Sequence, residues 1–347
     1  MEELKRIVLN QETEEDRVTS LSVRPEALKD FIGQKDLVAN IQVAIDAAKQ
    51  RGEPLEHMLF SGPPGLGKTS LAHIIAHEMK SRLTYTSGPA IQRAGDFIGI
   101  LTNLEQGDIL FIDEIHRLAK TVEEFLYPAM ESFKIDFIVD KGPFAKTINF
   151  NLKPFTLIGA TTRSGLLASP LRDRFGILHH LDFYEPEDLS VIVTNAAKKL
   201  GVAVDPDAAL EIARRSRGTP RISIRLLKRV RDFAQLEAGA GREPHIKLAL
   251  VIQAMDRLKV DTEGLDEFAR KILKIILETY KGGPVGIEAL AATLNEEVDT
   301  IADVVEPYLL KAGFLRRTSR GRELTDKATK HLLGKAPRPG GEQGKFF

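Results

Sequence analysis

The sequence predicts an α/β domain built on a parallel sheet, then a small all-helical unit, then three helices closed by a basic β-hairpin. Three observations carry this. Apolar strand-like runs alternate with helical stretches from about residue 25 to 183, the pattern of a parallel sheet with helices on both faces. The strand signal vanishes from Glu187 to Leu258, where amphipathic helices follow one another. From Gly313 to Leu324 the chain reads as two short strands about a turn, after three helical stretches. The domains are expected at 1–183, 184–257 and 258–347.

The strand candidates are Met58–Ser61, Leu83–Thr86, Ile109–Ile112, Phe155–Ala160 and Ile177–Asp182. The first delivers Gly62-Pro-Pro-Gly65-Leu-Gly67-Lys68-Thr69, with a helical pattern beyond it to Met79. This G-x-x-x-x-G-K-T spacing is a phosphate cradle, because glycines let backbone N–H groups turn toward phosphate oxygens. Lys68 is placed to reach the β- and γ-phosphates, and the Thr69 hydroxyl to bind Mg²⁺. The helix that follows adds the preference of its N-terminus for anions. The run Asp108–Ile112 delivers Asp113 and Glu114. Acidic groups at the end of a parallel strand lie where open α/β sheets bind ligands. Asp113 is expected to hold Mg²⁺ through water, and Glu114 to polarise an attacking water.

Between Lys134 and Leu152 an apolar–polar alternation surrounds Asp140-Lys141-Gly142-Pro143, which predicts a hairpin with Phe144 near its tip. A docking arm for another protein is the functional reading. Helices are expected near 187–200, 206–217, 220–238 and 246–257. Residues 259–265 read as a linker. Helices follow at Leu265–Tyr280, Ile287–Leu294 and Thr300–Leu310, and the tail from Gly334 is rich in Pro, Gly and Lys.

Composition narrows the class. The chain has 347 residues, is 43% hydrophobic and has no Cys, which excludes disulfides and thiol chemistry. No apolar run approaches a membrane span, and the N-terminal stretch is acidic, so a cytoplasmic protein is expected. Net charge is zero, yet Lys311–Phe347 holds ten Lys/Arg against three acidic residues, a balance of +7. Ile212–Arg231 holds eight Lys/Arg and no carboxylate. Such asymmetry points to a basic contact surface. His73 and His77 lie four apart, but Ile74 stands where a zinc protease needs Glu, so no metal site is expected there.

The order of phosphate loop, Asp-Glu box, strand ending in Thr, Arg-bearing segment and helical lid with Gly218-Thr-Pro-Arg221 resembles the AAA+ ATPases. Closer still, Arg24-Pro25, Phe31–Gln34, Gly62–Thr69, Leu110–Leu118, Leu126–Glu131, Phe155–Arg163, Ser169–Gly176, Ala213–Arg221 and Gly313–Arg322 resemble the RuvB family of bacterial Holliday-junction branch-migration motors. Ser70, beside the loop on the nucleotide side, stands where many relatives have Thr. The resemblance implies an AAA+ sheet domain, a helical lid and a winged helix, with ATP and Mg²⁺ as cofactors. It makes Thr162 the sensor of the γ-phosphate, Arg174 an arginine finger and Arg221 a second sensor. Val23, Arg24 and Tyr184 become the adenine side of the pocket. A finger acting from a neighbour implies a ring, a homo-hexamer in the family, that moves duplex DNA at Holliday junctions. A RuvA-type junction-binding partner would dock on the Lys134–Leu152 hairpin, and a junction resolvase is a further partner. A clamp loader, a replication initiator or a nucleotide-switched DNA-binding regulator are the alternatives.

DNA contact is expected from the hairpin of the third unit. The helix before it carries Glu296, Glu297, Asp299, Asp303 and Glu306 with no Lys or Arg until Lys311, and would be repelled by phosphates. The hairpin offers Arg316, Arg317, Arg320 and Arg322. Neighbours on a strand face opposite sides, so one of Arg316 and Arg317 meets DNA. The resemblance favours Arg317, with Arg322 on the returning strand.

Overall fold

The computed structural model describes residues 23–138, 147–239 and 242–334. These form two compact units. One runs to Asn195 and takes in Thr219–Arg221; the other holds Ala196–Gly218 and the chain from Ile222 onward.

The first unit is a five-stranded sheet with helices around it. Its strands are β1 (Met58–Ser61), β2 (Leu83–Ser87), β3 (Ile109–Asp113), β6 (Thr156–Thr161) and β7 (Ile177–His180), all parallel, in the order β2-β3-β6-β1-β7. Helices α1 (Lys35–Arg51), α2 (Lys68–Met79), α3 (Ala94–Thr102), α4 (Lys120–Ser132) and the short α5 (Ser169–Arg172) connect them. The central strands are buried along their length, because helices cover both faces of a parallel sheet. Leu110 and Ile112 of β3 and Leu157 of β6 pack with Phe97 of α3 and Leu126 of α4. Each such side chain, fully removed from water, contributes roughly 1.5–3 kcal/mol. β1 lies between β6 and β7, so the loop leaving its carboxyl end opens beside the ends of β6 and β3. That arrangement brings Gly62–Lys68, Asp113 and Thr161–Thr162 to one edge of the sheet.

Antiparallel strands β4 (Lys134–Ile138) and β5 (Thr147–Asn151) form the predicted arm, with Lys134 opposite Asn151. Its tip, Phe144 included, lies outside the described residues. Helix α6 (Pro186–Lys199) begins within this unit. Just before it, Tyr184 is 7% exposed and its hydroxyl donates to the Leu66 carbonyl at 3.1 Å.

The second unit contains α7 (Pro206–Arg214), most of α8 (Pro220–Ala238), α9 (Leu248–Arg257), α10 (Glu267–Glu278), α11 (Ile287–Leu294), α12 (Glu306–Lys311) and α13 (Asp326–Leu333). Two features depart from expectation. Strands β8 (Ala203–Val204) and β9 (His245–Ile246) pair in parallel inside the helical stretch where no strand was expected. Two residues each is too short for an alternating pattern to register. The helix expected at Thr300–Leu310 is split, with a π-helical turn at Thr300–Val305 before α12. Strands β10 (Leu315–Thr318) and β11 (Gly321–Leu324) form the hairpin, with Arg317 opposite Arg322 and Arg316 opposite Glu323. Ile272 and Ile276 of α10, Leu290, Leu309 and Leu315 close the core beneath it.

Residues 259–265, read as a linker, are held by many polar bonds. Asp261 accepts from the amides of Glu263 (3.0 Å) and Leu265 (2.8 Å) through Oδ1. Its Oδ2 meets His331 Nε2 at 2.9 Å and Arg270 at 3.3 Å. Arg215 donates to the Val260 carbonyl at 3.0 Å and Arg217 to that of Gly264 at 2.7 Å. Arg217 also pairs with Asp266. The Tyr308 hydroxyl donates to the Glu263 carbonyl at 2.8 Å.

Candidate nucleotide site

The phosphate loop has the backbone its glycines predict. Gly62 lies at φ +135° and Gly67 at +104°, both closed to ordinary side chains. A Cβ on Gly62 would meet the Leu181 carbonyl oxygen at 2.3 Å. A Cβ on Gly65 would meet Arg221 Cβ at 3.0 Å, and the Arg221 amide donates to the Gly65 carbonyl at 3.3 Å. The second sensor candidate therefore sits against the loop itself.

Lys68 opens α2 and is buried, its Nζ donating to the carbonyls of Gly62 (2.7 Å) and Pro63 (2.9 Å). Burial lowers its pKa to about 8, Glu114 and Asp113 hold it up, and Arg221 lowers it further. A sign follows. Above pH 8 the free protein sheds this proton, while phosphate binding requires the ammonium, so binding takes up a proton. Nucleotide affinity is expected to fall by up to about tenfold per pH unit above 8. A Lys68→Arg variant removes that dependence. Equilibrium nucleotide binding across this range checks it, and a flat wild-type profile would exclude the linkage.

Asp113 ends β3 and its Oδ1 accepts the Glu114 amide at 2.9 Å. Its Oδ2 meets the hydroxyl of Tyr85 on β2 at 3.4 Å. Glu114 lies at φ +47°, a left-handed conformation that a non-glycine residue holds only under constraint. The constraint is visible at its carboxylate. Oε2 accepts the Thr162 hydroxyl at 3.1 Å and lies 3.2 Å from His116 Nδ1. The same nitrogen lies 2.9 Å from Thr161 Oγ1, which accepts the Arg163 amide at 3.0 Å. Glu114 is thus tied to the end of β6 through Thr162 and His116. Thr162 was singled out from the sequence; His116 and Thr161 were not. The signal for His116 was its place two residues after Glu114 in a tight turn, with its side chain 6% exposed.

Arg174 follows α5. Its guanidinium pairs with Glu131 at 2.8 Å, donates to the Pro170 carbonyl and stands 4.6 Å above the Tyr127 ring. Burial and the Glu123 hydrogen bond push the Tyr127 phenol up to about 12. Arg172 makes a long 3.9 Å contact with Asp173. Val23 is buried, and Arg24 lies close enough to His73 to help lower its pKa, after burial. Thr69 and Ser70 follow Lys68 on the first turn of α2, half-buried. His73 and His77 are exposed, and no cluster of His, Asp and Glu able to hold a metal exists among the described residues.

The hairpin arginines are not equivalent. Arg316 pairs with Glu323 at 2.9 Å. Arg317 and Arg322 both pair with Glu306. Arg320 is exposed at the turn. Of the five carboxylates counted against DNA contact by the preceding helix, Glu306 is buried, 1% exposed.

A phosphate loop after β1, acidic groups closing β3 two places away in the sheet, and Arg221 at the start of α8 resting on the loop define an AAA+ ATPase, a P-loop nucleotide-binding enzyme. Three family models match, described as the Holliday junction DNA helicase RuvB P-loop domain (23–181), the RuvB AAA lid domain (184–261) and the RuvB C-terminal winged helix domain (262–333). The chain belongs to the RuvB family. It is 56% identical over 315 residues to the Holliday junction branch migration complex subunit RuvB of Thermotoga petrophila, covering 91% of this chain and 93% of that one. The Thermotoga maritima subunit matches at 56% over the same shares. The solved Thermotoga maritima RuvB Holliday junction branch migration motor superposes with a TM-score of 0.83 at 53% identity, covering 91% of this chain and all of that one. No helix among the described residues is long and apolar enough to cross a membrane.

Proposed function

We infer that this RuvB-family ATPase drives branch migration of Holliday junctions as a closed homo-hexameric ring on duplex DNA, with Mg·ATP bound at the sheet edge. The observation that carries the reading is the convergence of Lys68, Asp113, Glu114 and Thr162 on one edge, with Arg221 against the loop. Thr69 and Asp113 are the residues that fit Mg²⁺, a hydroxyl and a carboxylate suited to a hard cation. When bound, the ion neutralises phosphate charge. Lys68 exchanges its two carbonyl partners for phosphate oxygens. Glu114, released from Thr162 and His116, takes the proton of the attacking water, and Thr162 is freed to hold that water or the γ-phosphate. Arg174 of a neighbouring subunit stabilises charge developing in the transition state. Val23, Arg24 and Tyr184 flank the adenine.

The wing supplies the DNA contact through Arg317 and Arg322, with Arg316 and Arg320 at its margin. Phosphate contact without base reading suits a motor that must pass through any sequence. The arm β4–β5 receives a RuvA-type partner, with Phe144 as its anchor, and a junction resolvase shares the same junction. Such a protein works in the cytoplasm, where the chromosome is. The test is ATP-dependent migration of a synthetic four-way junction with the RuvA-type partner added. Strand exchange is expected with ATP and absent with Lys68→Ala. ATP turnover without junction movement under these conditions would exclude the reading.

A further inference from the structure

Glu306 opens α12 directly after the π-helical turn, with Pro307 behind it. Its side chain is 1% exposed. Both oxygens are shared between two guanidiniums. Oε1 accepts Nε of Arg317 at 3.0 Å and Nε of Arg322 at 2.8 Å. Oε2 accepts Nη2 of Arg317 at 2.7 Å and Nη2 of Arg322 at 3.2 Å. Each arginine presents the same edge, so two forks grip one carboxylate.

The arrangement answers a local problem. Arg317 and Arg322 are directly opposite on β10 and β11, where like charges repel. A carboxylate set between them turns that repulsion into a joint attachment of both strands to α12. Burial pushes the Glu306 carboxyl up, but the hydrogen bonds from the two arginines prevail and hold it below the usual carboxylate range. The group therefore stays ionised, and the three side chains together carry +1. A guanidinium has five N–H donors. Two of each are spent on Glu306, and three remain in a plane the carboxylate has fixed. Arg317 keeps 55% of its side chain exposed and Arg322 17%.

We propose that Glu306 is the positioning residue of the wing: without touching DNA, it fixes Arg317 and Arg322 as a prealigned pair that meets one backbone phosphate. This rests on the wing being the DNA surface. The charge of the cluster, +1, matches the single charge of one phosphate. Pre-ordering also removes the rotamer entropy that two free arginines lose on binding. Asp303 adds a further carboxylate near Arg317, and Arg316 is held apart on Glu323.

The experiment measures binding of the full chain to a labelled duplex across a salt series. Removing a negative charge from a DNA-binding surface should, by charge alone, tighten binding. Positioning predicts the opposite. Glu306→Gln is expected to weaken binding about tenfold at moderate salt, a loss in the range of one specific phosphate or base contact. In an Arg317→Ala/Arg322→Ala background the same change should cost less than about twofold, because the residues act as one unit. Unchanged or tighter binding by Glu306→Gln overturns the proposal. So does a full tenfold loss in the double-alanine background, which would mean that Glu306 acts through the fold and not through the arginines. Glu306→Asp keeps the charge but withdraws it by a methylene; it should weaken binding without lowering the salt slope, and wild-type affinity there also overturns the proposal. Should Arg317→Ala alone leave affinity and salt slope unchanged, the DNA reading of the wing fails first, separately from Glu306.

Discussion

Subunits carrying Arg174→Ala are expected to bind ATP nearly as the wild type does and to lose turnover by about 10³-fold or more, the effect of removing an arginine finger. The structure makes a folding defect an unsuitable explanation for such a loss. The guanidinium is held by Glu131, the Pro170 carbonyl and the Tyr127 face. Glu131 is 58% exposed and simply returns to water when its partner is removed. The decisive measurement is mixing. Rings assembled from Arg174→Ala and Glu114→Gln subunits should recover part of the hydrolysis that neither has alone. Recovery requires an intact Glu114 facing an intact Arg174 across a subunit boundary. Mixed rings that stay inactive at every ratio would exclude action in trans.

Glu114→Gln is expected to retain ATP, lose turnover by about 10²–10⁴-fold, as loss of a general base does, and remain on DNA. The amide has nearly the shape of the carboxylate and can still accept the Thr162 hydroxyl bond that Glu114 Oε2 accepts at 3.1 Å. It cannot accept a proton from water. Lys68→Ala should differ by losing nucleotide binding itself, since the phosphate loop then lacks its buried cation. Single-turnover kinetics and retention on a DNA column separate the two variants. Wild-type turnover by Glu114→Gln would mean that another group is the base.

The sheet, the phosphate loop and the acidic strand end were legible because each is local. A loop of fixed spacing, flanked by β1 and α2, needs no distant partner to be recognised. The surroundings of these residues were not legible. Arg174 meets Tyr127 and Glu131, more than forty positions earlier in the chain, and His116 meets Thr161 across two strand ends. The role of Glu306 escaped the sequence for a related reason. Counted along the chain, Glu306 is one more surface carboxylate; in three dimensions the hairpin folds back and buries it under two arginines. The polar stretch 259–265 has the composition of a loose connector, yet its polar groups are spent on bonds to Arg215, Arg217, Arg270 and Tyr308.

That last segment has a mechanical consequence. A lever transmits displacement in proportion to the stiffness of its joint, and a slack joint absorbs the stroke. Here the joint between the helical lid and the winged helix is riveted from both sides. Arg215 and Arg217 come from the end of α7, while Arg270, Tyr308 and His331 come from α10, α12 and α13. Gly264, at φ +73°, brings the chain so close to Arg215 that a Cβ would lie 2.6 Å from its carbonyl oxygen. Little compliance is left in such a coupling. Were the lid to turn during nucleotide turnover, these bonds would carry the turn to the wing and Arg317 with little lost in the joint.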